Sequence, residues 1–210
     1  MSACSGGFAP VSSVSSLEDS ALTEKVGPEW GPLAALAGEW EGDQGVDVAF
    51  GNVEGSMITT PYRERVTLKP FGPVDNGSQH LYGLDYKMAA WRFGEENPFH
   101  TELGYWLWDA ELGHVMRSFL VPRGQTLIAG GVVAPDATSF TLRAELGSTT
   151  YGILSNPYLA RAANTTLYEV AITVNPDGSF AYDETTTIDH SRVPGSPVAH
   201  TDRNVLRPVG

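Results

Sequence analysis

HTELGYWLWDAELGHVMRSFLVPRGQTLIAGGVV, residues 100–133, is the stretch that decides the fold. It contains three runs rich in apolar and aromatic residues, over 100–108, 114–121 and 126–133, separated by short segments that contain Asp, Gly and Pro. Runs of this length between turn-forming residues are typical of consecutive antiparallel strands. The connections are too short for a helix, so each strand is expected to pair with the next one along the chain.

The same pattern extends in both directions from this stretch. The other candidate strands are 38–43, 46–50, 58–69, 79–90, 138–145, 164–174, 179–188 and 198–207. Turn sequences such as APDA after residue 133 and NPDG before Ser179 connect them. Many short strands without intervening long helices predict an all-β protein, an antiparallel up-and-down barrel of about ten strands, with a sandwich as the alternative.

The N-terminal part of the chain has a different composition. Residues 1–27 are rich in Ser, Ala and Gly and are expected to be flexible, whereas 28–210 are expected to form one barrel domain. Within that domain the segment PEWGPLAALAG, from Pro28 to Gly38, predicts a short helix with Leu33, Leu36 and Ala37 on one side. Such a helix is expected to plug one end of the barrel.

The composition argues against several classes of function. The formal net charge is −12, from 25 acidic and 13 basic residues, which disfavours nucleic acid and anionic membrane surfaces as partners. No apolar run approaches the roughly 18 residues that a spanning helix needs. The protein is therefore expected to be cytoplasmic, and its single cysteine, Cys4, is expected to have no structural role.

A Gly-x-Trp-x-Gly sequence at Gly38, Trp40 and Gly42 opens the first strand directly after the predicted helix. In barrels of the lipocalin and fatty-acid-binding-protein type, a tryptophan at this place packs across the barrel floor, and the glycines allow close approach of neighbouring elements. Trp40 is therefore predicted to be buried beneath the helix.

Two further motifs occur later in the chain. Residues 98–106 read PFHTELGYW, and the chain ends with FAY at 180–182 followed by VAHTDRNVLRP at 198–208. Together with the tryptophan motif, these sequences resemble the nitrobindin family, whose members carry Gly-x-Trp-x-Gly-x-Gly, then His-x-Glu-x-Gly-Tyr/Phe, and a histidine near the start of the last strand. The matches extend over residues 31–207 in the same order.

The resemblance implies a heme-binding barrel. It implies that His200 is the axial ligand of ferric heme iron, in heme b, and that His100 lines the opposite face without binding the metal. It further implies reversible binding of nitric oxide. Whether the protein is an enzyme stays open, and the activity that the resemblance implies is the isomerisation of peroxynitrite to nitrate. In such chemistry the iron makes the bonds, and the protein sets ligation and access.

The sequence departs from the family pattern at two places. Gln44 replaces the third glycine, with Gly45 one residue later, which predicts a bulge. In the last strand, alignment on Leu206 puts Thr201 at the ligand position, and a shift of one residue puts His200 there. Side chains alternate between the two faces of a strand, so His200 points inward only if Asp202, Asn204 and Leu206 do so as well.

The register with His200 inward is favoured, because it exposes the two arginines of the last strand, whereas the opposite register would bury them. It also turns Asp202 inward, where a carboxylate needs a partner, and Arg117 or Arg143 is the expected one. The remaining histidines, His80, His114 and His190, are expected to be solvated.

Two alternatives to heme binding stay open. The first is a fatty-acid-binding-protein-like or lipocalin-like carrier of an apolar small molecule without heme, and the second is a metal-free enzyme with acid and base groups inside the barrel. No nucleophile elbow, zinc-protease motif, paired-cysteine metal site or phosphate-binding glycine loop is present in the sequence. A homodimer is also left open.

Overall fold

The computed structural model describes residues 26–209, so most of the segment predicted to be flexible lies outside the described residues. The elements in chain order are a 3-10 helix Pro28–Leu36, β1 Gly38–Gly51, β2 Ser56–Asn76, β3 Gln79–Arg92, β4 His100–Asp109, β5 His114–Val121, β6 Gln125–Val132, β7 Ser139–Leu146, β8 Gly152–Ser155, α1 Leu159–Ala162, β9 Ala163–Val174, β10 Phe180–His190 and β11 Val198–Pro208.

The strands form a closed barrel, as predicted. Each strand from β1 to β6 pairs antiparallel with the next, β9, β10 and β11 do the same, and β11 pairs with β1 to close the sheet. The strand β8 lies between β6 and β7 and is parallel to β7. Closure leaves the barrel without a free edge at the β1–β11 seam, which removes a template for strand addition.

The strand count differs from the prediction in two compensating ways. The candidates 38–43 and 46–50 are one strand, β1, with a bulge between Gly42 and Gly45 where its register against β2 shifts. This is the bulge that the displaced glycine predicts. Strand β8 was missed because it has only four residues, too few to show an alternating pattern. The barrel therefore has eleven strands, the same number as the candidates and close to the predicted ten.

The predicted plug is a 3-10 helix that packs against β3 and β4. Pro32 lacks the amide donor that an α-helix would use at that position, and Gly31 has φ 53°, so the segment turns without forming a regular α-helix. Leu33 and Leu36 are buried, as expected. The indole Nε1 of Trp30 donates to the Gly83 carbonyl at 3.1 Å, which ties the helix to β3.

Trp40 is buried beneath this helix, as predicted, with 5% of its surface exposed. Its indole Nε1 donates a hydrogen bond of 2.8 Å to the carbonyl of Leu36, the last residue of the helix. Its ring packs edge-on against Phe180 at 4.8 Å between centroids. The tryptophan thus joins the plug to β10 across the floor of the barrel.

The barrel interior is divided between apolar and polar side chains. Val66, Leu68, Phe180 and Leu206 line the cavity together with Leu36 of the plug, whereas carboxylates, tyrosines and Arg117 line the rest of it. This interior cavity has a volume of about 40 Å³, enough for a few water molecules. Among the described residues, no helix has the length and apolar character needed to cross a bilayer. The cytoplasmic location stays a prediction.

Candidate functional site

The two histidines that the motifs single out line one cleft at the mouth of the barrel, opposite the helical plug. His100 begins β4, and His200 lies near the start of β11. The cleft has a volume of about 150 Å³, and the two imidazoles are 33% and 35% exposed. Strands that are far apart in sequence thus bring both imidazoles to the same opening.

His200 points into the barrel, in the register that its alternation with Asn204 and Leu206 predicts. Its Nε2 and the Oδ1 of Asp47 on β1 form a hydrogen bond of 2.5 Å. Burial alone would lower the pKa of His200, but the hydrogen bond and the negative charge of Asp47 outweigh it, so the pKa is raised. The bond orients the ring and leaves Nδ1 as the nitrogen open to a ligand.

His100 is held in a similar way by its own strand. Its Nε2 lies 3.1 Å from Oε1 of Glu102, which strand alternation places two residues along on the same face of β4. Burial would lower the pKa of His100, but the bond and the charge of Glu102 raise it. The expected role of His100 on the second face of a cofactor stays a prediction.

Below the histidines, Arg117 occupies the centre of the barrel. It is 5% exposed, and its two terminal nitrogens donate to Glu102 Oε2 at 2.7 Å and to Glu184 Oε2 at 3.0 Å. They also donate to the hydroxyls of Tyr86 and Tyr168. A buried cation between two carboxylates is balanced in a medium where either charge alone would be costly.

The two carboxylates respond differently to this arginine. Burial raises the pKa of both, but in Glu102 the attraction of Arg117 and the bond from His100 outweigh burial, so its pKa is lowered. In Glu184 burial is the largest effect and the pKa is raised. Glu102 is thus the carboxylate that carries the charge opposite Arg117, and it links this arginine to His100.

A second polar chain runs beside the arginine. The Tyr62 hydroxyl donates to Asp202 and lies 2.6 Å from the Tyr182 hydroxyl, which donates to Glu64 Oε2 at 2.9 Å. The prediction that Arg117 or Arg143 would neutralise Asp202 is therefore wrong. Arg117 bonds to Glu102 and Glu184, while Arg143 faces solvent between Glu145 and Glu169. Burial raises the pKa of Asp202 to about 7, so a tyrosine hydroxyl is a sufficient partner.

Glu64 lies where the bulge in β1 interrupts the barrel wall. Strand β1 pairs with β11 at Glu41 and again at Val46, and the residues between them form no such pairs. Glu64 is only 3% exposed, yet it borders both the interior cavity and an outer groove at the bulge. Burial raises its pKa to about 7, against the lowering effect of hydrogen bonds from Asn204 and Tyr182.

Replacing Glu64 with glutamine is expected to remove a pH-dependent loss of stability. The unfolded chain ionises this group near its ordinary value of 4.5, whereas the folded protein keeps it protonated up to about pH 7. As the pH rises through this window, Glu64 ionises in the unfolded chain but stays protonated in the folded protein, which favours unfolding. The free energy of unfolding of the wild type therefore falls by on the order of 2–3 kcal/mol because of this group. Urea unfolding at pH 5 and pH 8.5 measures the difference.

The expected result is that Glu64→Gln and wild type have nearly equal free energies of unfolding at pH 5, and that the variant is more stable at pH 8.5. Glu39→Gln, at an exposed position of β1, is the control and should follow the wild type at both values. A constant difference between Glu64→Gln and wild type would show that Glu64 does not titrate in this window.

Several residues of the site were not singled out from the sequence, notably Tyr62, Glu64 and Glu184. Each is in phase with inward-facing apolar residues of its own strand, as Glu64 is with Val66 and Leu68. That phase is the signal that could have identified them. Asp183 and Glu184 lie on opposite faces of β10, and Glu184 bonds to Arg117 inside the barrel.

The other histidines lie away from the cleft. His80 is exposed beside Asp75, and Nδ1 of His114 lies 2.6 Å from the hydroxyl of Tyr151. His190 was expected to be exposed, but it ends β10 with only 9% exposure and packs against Phe50. Within residues 26–209, no group of three or more His, Cys, Asp or Glu side chains is arranged to hold a metal ion.

Residues 29–207 match a family described as the THAP4-like, heme-binding beta-barrel domain. The chain belongs to this family. The match covers the plug and the barrel except for Pro28 and Pro208 at their ends, and it agrees with the resemblance to nitrobindin that the motifs carry. Heme is therefore the cofactor supported for this THAP4-like domain.

A comparison with solved structures agrees on the fold. The crystal structure of Rv2717c from M. tuberculosis is similar to the domain, with a TM-score of 0.59 and 20% sequence identity, over 85% of this chain and 95% of that one. At this identity the likeness concerns the fold alone. No curated protein sequence matches the chain.

The chemistry of the mouth cleft fits a heme group. An imidazole that ligates a metal usually donates its other N–H to a carboxylate, and Asp47 is placed behind His200 in this way. Apolar side chains form part of the cleft wall, which suits a macrocycle, and Arg123 at the rim suits an anionic substituent. The apolar lining residues are Phe119, Val121, Leu127, Leu159, Ala163 and Ile188.

Proposed function

We propose that this THAP4-like domain binds ferric heme b at the barrel mouth, with His200 as the axial ligand. The observation that carries the proposal is the pair of His200 and Asp47, because it combines an inward imidazole with a buried carboxylate that orients it. Of the five histidines in the chain, only His100 and His200 line the cleft.

The neighbouring side chains would act on the second face of the cofactor. His100 shares the cleft and is anchored through Glu102 to Arg117. This anchoring restricts the ring, so His100 would shape access and offer a hydrogen bond without ligating the iron. Phe119 and Ile188 would exclude water from the macrocycle.

Heme supplies an iron that can bind and activate small oxygen- and nitrogen-containing molecules, and the resemblance to nitrobindin favours nitric oxide as the physiological ligand. We also propose peroxynitrite isomerisation to nitrate as the activity. Addition of nitric oxide to the hemin-loaded domain should shift the Soret band, and stopped-flow mixing should show faster decay of peroxynitrite than with the protein lacking hemin.

A carrier of an apolar molecule without heme is the alternative, and the interior of the barrel offers it little room. The interior cavity of about 40 Å³ is small beside the roughly 300–1,000 Å³ of typical ligand pockets. Moreover, buried carboxylates and Arg117 border this cavity, which makes it poorly suited to an apolar tail.

Replacement of His200 with alanine tests the ligand assignment. Hemin titration at pH 8.5 should give the wild type a Soret band of a histidine-ligated heme, and the variant should bind roughly tenfold more weakly or worse with a shifted band. The reason is that His200 and His100 are the residues of the cleft that can supply a nitrogen ligand to the iron, and the substitution removes the imidazole of His200.

His80→Ala is the matched control and should bind hemin as the wild type does, because His80 is exposed and lies outside the cleft. Protoporphyrin IX, which lacks iron, should bind equally to wild type and His200→Ala, since only iron ligation is lost. Equal hemin affinity and equal Soret position in wild type and His200→Ala would exclude His200 as the ligand.

A further inference from the structure

The wall of the barrel is interrupted beside Glu64. Strand β1 pairs with β11 at Glu41 and again at Val46, and the bulge lies between these two pairs. Two grooves of about 360 and 400 Å³ open on the outside of the bulge, and Gln44 borders both. Tyr182 borders the first groove, Glu64 borders the second, and both also border the interior cavity. These two side chains thus reach from the interior of the barrel to its outer surface.

The glycines of the bulge make room for polar groups in the wall. Gly42 pairs with Glu64, and Gly45 pairs with Tyr62, across β1 and β2. A Cβ atom at Gly42 would lie 3.0 Å from the side-chain amide of Asn204, and a Cβ atom at Gly45 would overlap the ring of Tyr62. Because both positions are glycine, Tyr62 and Asn204 can approach β1 closely while they bond to carboxyl groups inside the wall.

A row of hydrogen bonds, here called the tyrosine row, leads inward from Glu64. It runs through the hydroxyls of Tyr182 and Tyr62 to Asp202. With both end groups ionised, the two hydroxyls supply two protons for three contacts, and the 2.6 Å contact between the hydroxyl oxygens contains none. One proton on Glu64 completes the row, because both hydroxyls can then donate away from it.

The charges around Glu64 leave burial as the main effect on its pKa, which is raised to about 7. Inside the barrel it faces Arg117 and Glu102, which bond to each other and act on it in opposite directions. Other titratable groups face it from β2, β3, β10 and β11, namely Tyr62, Tyr86, Tyr182 and Asp202. The charged groups of its groove, which water screens, are Glu41, Asp43, Arg63, Arg65 and Arg207.

We propose that Glu64 is the group through which the interior of the barrel exchanges protons with solvent, by way of the grooves at the bulge. Glu64 takes a proton from water in the groove and gives it to the Tyr182 hydroxyl. Tyr182 gives its own proton to Tyr62, and Tyr62 gives its own to the carboxylate at the end of the row. A second proton from groove water then restores Glu64.

This route does not use the mouth of the barrel. The mouth cleft is where the proposed heme would lie, and a bound macrocycle would close that end while the plug closes the other. The bulge would then be the place where the interior takes up and releases protons. The exchange itself does not require heme, so the inference goes beyond the proposed function and is tested without it.

Carbon-13 NMR of the full chain, labelled at the carboxyl carbon of glutamate and free of heme, tests the proposal. The resonance of Glu64 is the one that Glu64→Gln removes. In the wild type it should be a single line that moves with pH and has its midpoint at about 7. The line is single because rapid exchange with groove water averages the protonated and ionised forms.

Gln44→Trp should slow this exchange, because the indole covers the grooves on both sides of the bulge. Exchange at least about tenfold slower is expected, seen as separate lines for the two forms, since protons then enter only when the wall opens locally. Glu39→Trp, at an exposed position of β1 outside both grooves, is the matched control and should keep the single line. Gln44→Leu is the milder variant should the ring disturb the bulge, and it should broaden the line.

Tyr182→Phe tests the inward link. It removes a hydrogen bond that favours the ionised form of Glu64, so the midpoint should rise. Tyr151→Phe should leave the midpoint unchanged, because the Tyr151 hydroxyl contacts His114 and not the tyrosine row. The proposal would be overturned by a Glu64 line that does not move with pH, by separate lines in the wild type, by an unchanged midpoint in Tyr182→Phe, or by equal exchange in folded Gln44→Trp and Glu39→Trp.

Discussion

Replacing Arg117 with methionine is expected to lower the free energy of unfolding by about 3–5 kcal/mol at neutral pH. Methionine has a comparable length, so the loss comes mainly from charge. Without the guanidinium, Glu102 and Glu184 remain buried without the cation that lies between them, and two tyrosine hydroxyls lose a partner. Chemical unfolding measured by tryptophan fluorescence gives the change.

The loss should become smaller towards acidic pH. In the wild type, Arg117 holds the pKa of Glu102 below its usual range against the effect of burial, so this carboxylate stabilises the fold above its unfolded pKa and ceases to do so in acid. In Arg117→Met both carboxyls would take up protons more readily, and at low pH they would be buried as neutral acids.

Arg143→Met is a control with the same substitution and the same number of acidic partners. Arg143 also bonds to two glutamates, Glu145 and Glu169, but its side chain is 48% exposed. Solvent screens its ion pairs, so a much smaller change is expected. Adding Glu102→Gln and Glu184→Gln to Arg117→Met should restore much of the stability. Equal effects of the two arginine substitutions would contradict the assignment of a buried charge cluster.

Replacing Trp40 with alanine is expected to cost on the order of 3–5 kcal/mol, as large deletions in a protein core do. The indole is 5% exposed, packs on Phe180 and bonds to the end of the 3-10 helix, so its removal leaves a cavity and frees the plug. Denaturant unfolding should show the loss as a lower midpoint with a similar slope.

Trp91→Ala provides the matched control on β3. Trp91 is partly exposed, beneath the guanidinium of Arg63 at 4.6 Å, and its loss leaves no enclosed cavity. The stability change should be clearly smaller than that of Trp40→Ala. A loss under about 1 kcal/mol for Trp40→Ala would place this residue among surface positions and remove the basis of the floor assignment.

Features of the site that depend on residues close together in the sequence were predictable, whereas features that depend on residues far apart in the sequence were not. The grouping of His200 with Asn204 and Leu206 follows from alternation within one strand, and its inward direction follows from the cost of burying two arginines in the other register, so both were predictable. The partner of Asp202 was not, because Tyr62 is 140 residues away and reaches it only when β1 and β11 close the barrel. The two arginines near the middle of their strands were indistinguishable until that register was known.

The sequence by itself determined the class of fold, the plug, the burial of Trp40, the bulge at Gly45 and the histidines of the mouth. These features depend on residue period, turn chemistry and short motifs, which are properties of neighbouring residues. Only the tertiary structure decided that Asp47 orients His200 and that Arg117 lies between Glu102 and Glu184. It also decided that Glu64 borders both the interior cavity and the outer groove at the bulge. Such contacts join strands from distant parts of the chain, and their energies arise from burial, which exists only after the barrel has closed.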